Sequence, residues 1–191
     1  MRNNAVALIA GAILACAASD ATSASSPAPD NGIACEVAEA YVNEVLSRAP
    51  DPVIFSDEPF GGSGERRLPR IGWRKDRPST ALAAAYRNAS DASPFAECPT
   101  LRAYVERRGA KIGSVAIDQA TLVPPGAPRP STWGVTIEVI SMPIVSPSGR
   151  EAVLENGFGC GPLCGGTAIV HLRKGRDGFW VVTDVAMTGI S

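Results

Sequence analysis

The sequence predicts an α+β fold, stapled by disulfides, in which N-terminal helices pack on a C-terminal antiparallel β-meander. Two observations support this prediction. Apolar residues recur at helical spacing up to Gly109, and beyond it they alternate with polar residues to the end of the chain. Short turns separate the alternating segments and leave no room for crossover helices. A composition of 45% hydrophobic and 19% charged residues in 191 suits a single domain with a buried core.

Residues 1–24 have the layout of a signal peptide. Arg2 precedes a run of small and apolar residues from Ala5 to Ala15, and this run is shorter than the roughly 20 residues that cross a membrane. Residues 13–16 resemble a bacterial lipobox, in which Cys16 carries the lipid. Cleavage at small residues, for example after Ala24, is the alternative. Either way the chain is expected to be exported.

A Ser/Pro-rich linker at 25–31 is expected to lead into one domain at 32–191. The expected location is the periplasm, the exterior, or the bacterial envelope by a lipid anchor. The 18 basic and 19 acidic residues nearly cancel, which argues against nucleic acid as a partner. Membrane contact is expected only through a lipid anchor, and an envelope or secreted protein is the expected partner. Glycine motifs for phosphates or dinucleotides are absent, and no cofactor is expected.

The remaining cysteines predict two disulfides, because they are even in number in an exported chain. Cys160 and Cys164 flank a Gly-Pro-Leu turn that brings them together, which leaves Cys35 to pair with Cys98. The alternative is a zinc site made by the four cysteines with His171. Structural zinc ligands usually occur in closely spaced pairs, which the distant Cys35 and Cys98 do not form.

Three helices and a short strand are predicted in the first half of the chain. The first helix ends at Pro50, the second is capped by Ser79 or Thr80, and the third has Pro99 in its first turn. The predicted helices are 33–49, 81–88 and 99–109, and the strand is Val53 to Phe55.

Five strands are predicted after Gly109 at 111–123, 133–139, 151–158, 167–174 and 179–187, with a Cys-bracketed turn at 160–166. His171, the only histidine, lies in the fourth of them and is expected at the surface. The carboxylates of Asp118, Glu138 and Asp184 are also expected to face solvent, and the alternative is that they act as acid and base in a cleft.

Two candidate binding regions stand out. The first is a basic segment with one aromatic residue, made by Arg66, Arg67, Arg70, Trp73, Arg74 and Lys75. It suits an acidic partner or lipid phosphates, and a solvated loop is the alternative interpretation. The second is a pocket between the helices and the sheet, lined by Trp133 and Trp180.

No catalytic constellation is evident. Ser63 lies among glycines, but its motif lacks the final glycine of a nucleophile elbow, and no nucleophile motif accompanies His171. Two function classes remain. One is a non-enzymatic binding or interaction module of the envelope, and the other is a small-molecule carrier or enzyme with a pocket.

The C-terminal region resembles a group of uncharacterised exported bacterial proteins. The matching features are the motif GCGPLCGG at 159–166, LRK at 172–174, DGFWVV at 177–182 and the ending Ile190-Ser191. This group shares a Cys-bracketed turn before a last hairpin. More broadly, helices followed by a meander with a Gly-aromatic hairpin resemble the NTF2-like and cystatin-like folds. The resemblance implies an architecture and no activity, because the NTF2-like fold hosts enzymes, ligand binders and interaction modules.

Overall fold

The computed structural model describes residues 31–61, 66–128 and 130–190. The expected signal peptide, Cys16 and Ser63 lie outside these residues. Within them the elements are α1 (Asn31–Arg48), β1 (Val53–Phe55), α2 (Thr80–Arg87), α3 (Pro94–Glu97), α4 (Pro99–Arg107), β2 (Lys111–Ile112), α5 (Ser114–Thr121), β3 (Thr136–Ile140), β4 (Ile144–Val145), β5 (Glu151–Gly161), β6 (Cys164–Lys174) and β7 (Trp180–Ile190). No helix of these residues is both long and apolar enough to cross a membrane.

The β-sheet is mixed. Its strand order is β2-β1-β3-β5-β6-β7, and β4 pairs with β5 beside this path. β1 runs parallel to both β2 and β3, while the other pairs are antiparallel. Helices α2 to α4 lie between β1 and β2 in the chain and supply the crossover that a parallel pair needs. The α+β class is therefore confirmed, but the expectation of a purely antiparallel sheet without crossovers is wrong.

The strand predicted at 111–123 is also wrong, because only Lys111 and Ile112 are extended. Gly113 has a φ of 109°, a conformation that favours glycine, and it ends the strand and caps helix α5. No residue of α5 is buried. The three predicted helices are confirmed and correspond to α1, α2 and α4. The Ser79 hydroxyl accepts a hydrogen bond from the Leu82 N–H at 3.2 Å, and Pro99 opens α4.

The main core lies between one face of the sheet and helices α1 and α4, and we call this the helix face. Val37 and Val42 of α1 and Val105 of α4 are fully buried there, against sheet residues such as Leu154 and Leu172. Every third or fourth residue of α1 points to the sheet, which explains the apolar spacing in its sequence. The predicted core between helices and sheet is therefore present.

The opposite face of the sheet is covered by α2 and by residues 66–78. We call residues 66–78 the strap. A smaller core lies here, in which Leu82 and Tyr86 of α2 pack against Val153 of β5 and Ile169 of β6. We call this side the strap face. The two cores leave the centre of the sheet buried on both sides, in keeping with the continuous burial from Glu151 to Gly157.

Both predicted disulfides are confirmed. The Cys35–Cys98 bridge joins α1 to the start of α4, with a Cα–Cα distance of 5.6 Å. The Cys160–Cys164 bridge spans the β5–β6 hairpin, with a Cα–Cα distance of 5.1 Å. All four sulfurs are thus bonded, which contradicts the zinc alternative. Paired cysteines of this kind are typical of proteins that fold in an oxidising compartment.

Candidate interaction surface at the open edge of the sheet

Strand β7 is the last strand of the sheet, and its outer side lies open. It pairs with β6 on one side, and no backbone group of another described segment pairs with its other side. Folded proteins usually protect such an edge with lysine, proline or a covering segment, because unpaired N–H and C=O groups recruit other strands. The sequence of β7, WVVTDVAMTGI, contains no lysine, arginine or proline.

Two register shifts divide β7. They lie opposite Thr167/Ala168 and His171/Leu172 of β6, where the pairing slips by one residue. Between them the stretch from Asp184 to Met187 pairs regularly with the stretch from Ala168 to His171. An added strand would therefore find its regular partner in these four residues, which we call the open edge.

Side chains of the open edge alternate between the two faces of the sheet. Val185 and Met187 lie on the helix face and are 39% and 46% exposed. Asp184 and Ala186 lie on the strap face and are buried. The apolar side chains left in water are thus confined to one face of this stretch.

The strap is held against β7 by one carboxylate. Oδ2 of Asp184 accepts hydrogen bonds from three consecutive backbone N–H groups, those of Arg74, Lys75 and Asp76, at 2.7, 2.6 and 2.9 Å. Oδ1 accepts from the N–H of Val185 at 2.8 Å. Consecutive N–H groups of this kind form a nest that favours an anion. We call this arrangement the latch.

The latch also determines the protonation of its carboxylate. Burial alone would raise the pKa of Asp184, but the N–H donors of Lys75, Asp76, Val185 and Arg74 together lower the pKa to about 2. Asp184 is therefore ionised at neutral pH and buried, so the expectation that it faces solvent is wrong.

His171 is buried beneath the strap, and the expectation of a surface histidine is wrong. None of its surface is exposed, because Trp73 of the strap lies edge-on to its ring at a centroid distance of 6.1 Å. Its Nδ1 donates to the backbone carbonyl of Asp76 at 2.9 Å, and its Nε2 lies 3.4 Å from a carboxylate oxygen of Glu151. The ring is therefore closed to any ligand that approaches from solvent.

Glu151 binds Ser79, the residue that follows the strap and caps α2. Its Oε2 accepts the N–H of Ser79 at 3.1 Å. Burial would raise the pKa of Glu151, but the Ser79 hydrogen bonds, the charge of Arg173 and the contact with His171 lower it. The strap, together with Ser79, is thus attached to β5, β6 and β7.

The residues of the predicted basic patch divide into two groups. Arg66 is buried, with its guanidinium bound to Asp91 and 3.5 Å from Glu155, and Trp73 is half-buried against His171. The exposed residues of the patch are Arg67, Arg70, Arg74 and Lys75. Among the described residues, no carboxylate forms an ion pair with Arg70, Arg74 or Lys75. The strap therefore presents cations to solvent beside the open edge.

The predicted pocket residues, Trp133 and Trp180, line two separate cavities. Trp180 borders a cleft of about 880 Å³ between α1 and the β6–β7 hairpin, with Glu36 and Glu39 on its other wall. Trp133 borders an apolar groove of about 580 Å³ at the far end of the sheet. A side chain at Gly159 would lie 3.2 Å from the Trp133 ring, so this glycine lets the ring rest on β5.

The other two predicted carboxylates differ in burial. Asp118 of α5 is exposed as expected, whereas Glu138 of β3 is buried, and for Glu138 the expectation is wrong. Burial raises the pKa of Glu138 to about 7, although the amide of Asn156 donates a hydrogen bond that opposes the rise. Glu138 and Asp184 lie on opposite faces of the sheet and do not form an acid–base pair.

The open edge was not predicted from the sequence. One signal was present, because the last strand of a meander lies at an edge unless another segment covers it. The latch had no such signal, since Asp184 and its donors are about 110 positions apart in the sequence.

The surface offers backbone groups for strand pairing, two apolar side chains and a set of cations. Within the described residues, no three His, Cys, Asp or Glu side chains are arranged to hold a metal ion. The likeness of the C-terminal hairpin to uncharacterised exported proteins stays a prediction, as does the NTF2-like or cystatin-like assignment. No family model, curated protein or solved structure matches this chain.

Proposed function

We propose that this protein is a non-enzymatic interaction module of the bacterial envelope, which binds an extended segment of a partner protein along the open edge. The observation that supports the proposal is the outer side of β7, which pairs with no other described strand and has Val185 and Met187 partly exposed beside it. Strand addition provides affinity through backbone hydrogen bonds and specificity through alternate side chains. The partner in this proposal is an envelope or secreted protein.

The proposed location follows from the signal-like N-terminus and the two disulfides. The mature chain works in the periplasm, outside the cell or on a lipid anchor at Cys16. Mass spectrometry of the mature N-terminus from its native host tests the anchor. A lipidated Cys16 supports it, and a free N-terminus near residue 25 contradicts it.

Affinity capture with matched variants tests the interaction. The oxidised domain is used as bait on a crosslinked envelope extract of the host, as wild type, as Val185→Lys and as Val115→Lys. Lysine at position 185 places a charge on the open edge, which is a natural means of blocking strand addition. Val115 lies in α5 and is 68% exposed, so its lysine variant is a matched control.

The proposal expects one specific protein to be retained by the wild type and by Val115→Lys, and to be lost with Val185→Lys. Equal retention by all three baits would show that binding uses another surface. An empty capture from the wild type would contradict a stable envelope partner.

The groove beside Trp133 favours a second candidate function, the carriage of a small apolar ligand. It is lined mainly by apolar atoms, including those of Phe60 and Ile190. Titration with the apolar dye N-phenyl-1-naphthylamine should give saturable fluorescence that Ile190→Asp weakens. Leu163→Asp, at an exposed hairpin residue, is the control. A linear, unsaturable signal would remove this candidate.

A further inference from the structure

We infer that the segment bound at the open edge is acidic on one side and apolar on the other. This inference rests on the proposed function and names the chemical class of its partner. A strand added beside Asp184–Met187 would place alternate side chains on the strap face and on the helix face, because strand side chains point to opposite sides in turn.

On the strap face the added strand would meet cations. The strap crosses β7 at Gly72, where an added Cβ would lie 3.5 Å from that of Ala186, and the latch fixes residues 74–76. Arg74 and Lys75 are exposed at this point and form no ion pair with described residues. Carboxylates on the added strand would therefore complement this side.

The carboxylate of β7 forms no ion pair with these cations. Asp184 is buried, and its oxygens are occupied by the backbone N–H groups of the latch. Asp76 is occupied as well, because it binds the guanidinium of Arg173. The exposed side chains of Arg74 and Lys75 thus keep their hydrogen-bond donors for carboxylates of a partner.

On the helix face the added strand would meet apolar side chains. Val185 and Met187 are partly exposed there, and burying them would remove apolar surface from water. The complementary segment alternates acidic and β-branched residues, with the acidic ones toward the strap.

A second copy of this chain fits the open edge less well. Two β7 strands that pair antiparallel are related by a two-fold axis perpendicular to the sheet, so both straps lie on the same side. The Arg74 and Lys75 of each copy would then approach those of the other, and like charges repel. The charge of the strap favours an acidic partner instead.

The test uses two labelled synthetic peptides, Thr-Glu-Val-Glu-Val-Glu-Val-Thr and its counterpart with lysine in place of glutamate. Binding to the full oxidised domain is measured by fluorescence anisotropy at about 0.02 M and about 0.3 M salt, which differ several-fold in screening length. We expect the Glu peptide to bind about tenfold more tightly at low salt, the effect of two or three exposed ion pairs. The difference should shrink at high salt.

Three variants of the protein test which residues cause the preference for the Glu peptide. The double change Arg74→Glu with Lys75→Glu should abolish or reverse the preference, because it alters side chains and leaves the N–H groups of the latch in place. The control changes exposed cations outside the strap, Arg107→Glu with Lys111→Glu, and should keep the preference. Val185→Lys should weaken both peptides.

The other possible outcomes contradict either the acidic preference of the open edge or the proposed function as well. Equal binding of both peptides that Val185→Lys weakens would overturn the acidic preference and leave the proposed function standing. A Glu peptide that binds as well after methylation of its alternate backbone nitrogens, and is indifferent to Val185→Lys, would overturn both. Failure of both peptides to bind would overturn the inference, while the capture experiment decides the function separately. Dimerisation in sedimentation that Val185→Lys abolishes would show a second copy as the occupant.

Discussion

His171 of β6 and Asp184 of β7 are direct cross-strand partners, and both bind the backbone of the strap. One of the two side chains is a hydrogen-bond donor to the strap, and the other is an acceptor. His171 donates to the carbonyl of Asp76, and Asp184 accepts the N–H of the same residue. The backbone of Asp76 is thus hydrogen-bonded to two neighbouring strands, through its carbonyl to β6 and through its N–H to β7.

The latch predicts that Asp184→Asn loosens the strap. A neutral amide presents one acceptor oxygen where the carboxylate presents two, and it lacks the charge that favours three N–H donors. We expect a loss of about 1 to 3 kcal/mol in the free energy of unfolding. Trypsin should also cleave after Arg74 or Lys75 several-fold faster, as measured by mass spectrometry of timed digests.

Asp118→Asn in exposed α5 is the control for this change and should leave digestion unaltered.

The low pKa of Asp184 makes the stability of the folded domain depend on pH. Since its pKa in the folded state lies below that in the unfolded state, its stabilising effect is complete above about pH 4 and is lost as the pH falls through about 2. If the strap already detaches from β7 at pH 4, the hydrogen bonds to the Asp184 carboxylate do not hold it in place.

His171→Leu should destabilise the domain. Leucine fills the space but leaves the carbonyl of Asp76 without its donor, and a buried unsatisfied group costs about 1 to 3 kcal/mol. Urea unfolding measures the loss. His171→Asn should lose less, because its side-chain N–H takes a position similar to Nδ1. Equal stability of the wild type and the leucine variant would show that the hydrogen bond contributes little.

The raised pKa of Glu138 leads us to expect that the free energy of unfolding falls as the pH rises. Its pKa is about 7 in the fold against about 4.5 unfolded, so the folded state binds the proton more tightly. The stabilising effect is complete below about pH 4.5 and is lost as the pH rises through 7. Urea unfolding of the wild type should give about 2 to 3 kcal/mol less at pH 8 than at pH 5 from this group.

The matched variant for this prediction is Glu138→Gln, which keeps an oxygen for the Asn156 amide and cannot ionise. Its stability should vary less between these pH values, and it should exceed the wild type at pH 8. Parallel curves for the two proteins would show that Glu138 does not titrate in this range.

The two disulfides should differ in their effect on stability. The Cys35–Cys98 bridge closes a loop of 63 residues, which in the loop-entropy model corresponds to about 4 kcal/mol. The Cys160–Cys164 bridge spans four residues and corresponds to about 2 kcal/mol. Double serine variants of each pair, compared by chemical unfolding, should show this order. Equal losses would contradict it.

Local patterns predicted helices α1, α2 and α4, the long strands and both disulfides, because these depend on spacing that the sequence displays. The segment 111–123 was wrongly predicted as one strand because its apolar residues fit both periods, whereas the backbone of Gly113 ends the strand and begins α5. The burial of His171 and Asp184 depends on a strap about 100 positions earlier in the chain. Contacts of that range leave no trace in the periodicity of either segment.

The two register shifts in β7 also bear on aggregation. A fibril needs long, flat strands that stack repeatedly, and here the regular stretch is only four residues before the backbone twists away at either end. Such a strand can accept one short segment but is a poor template for continued growth. The bulges thus limit how far strand addition can continue along an edge that no described segment covers.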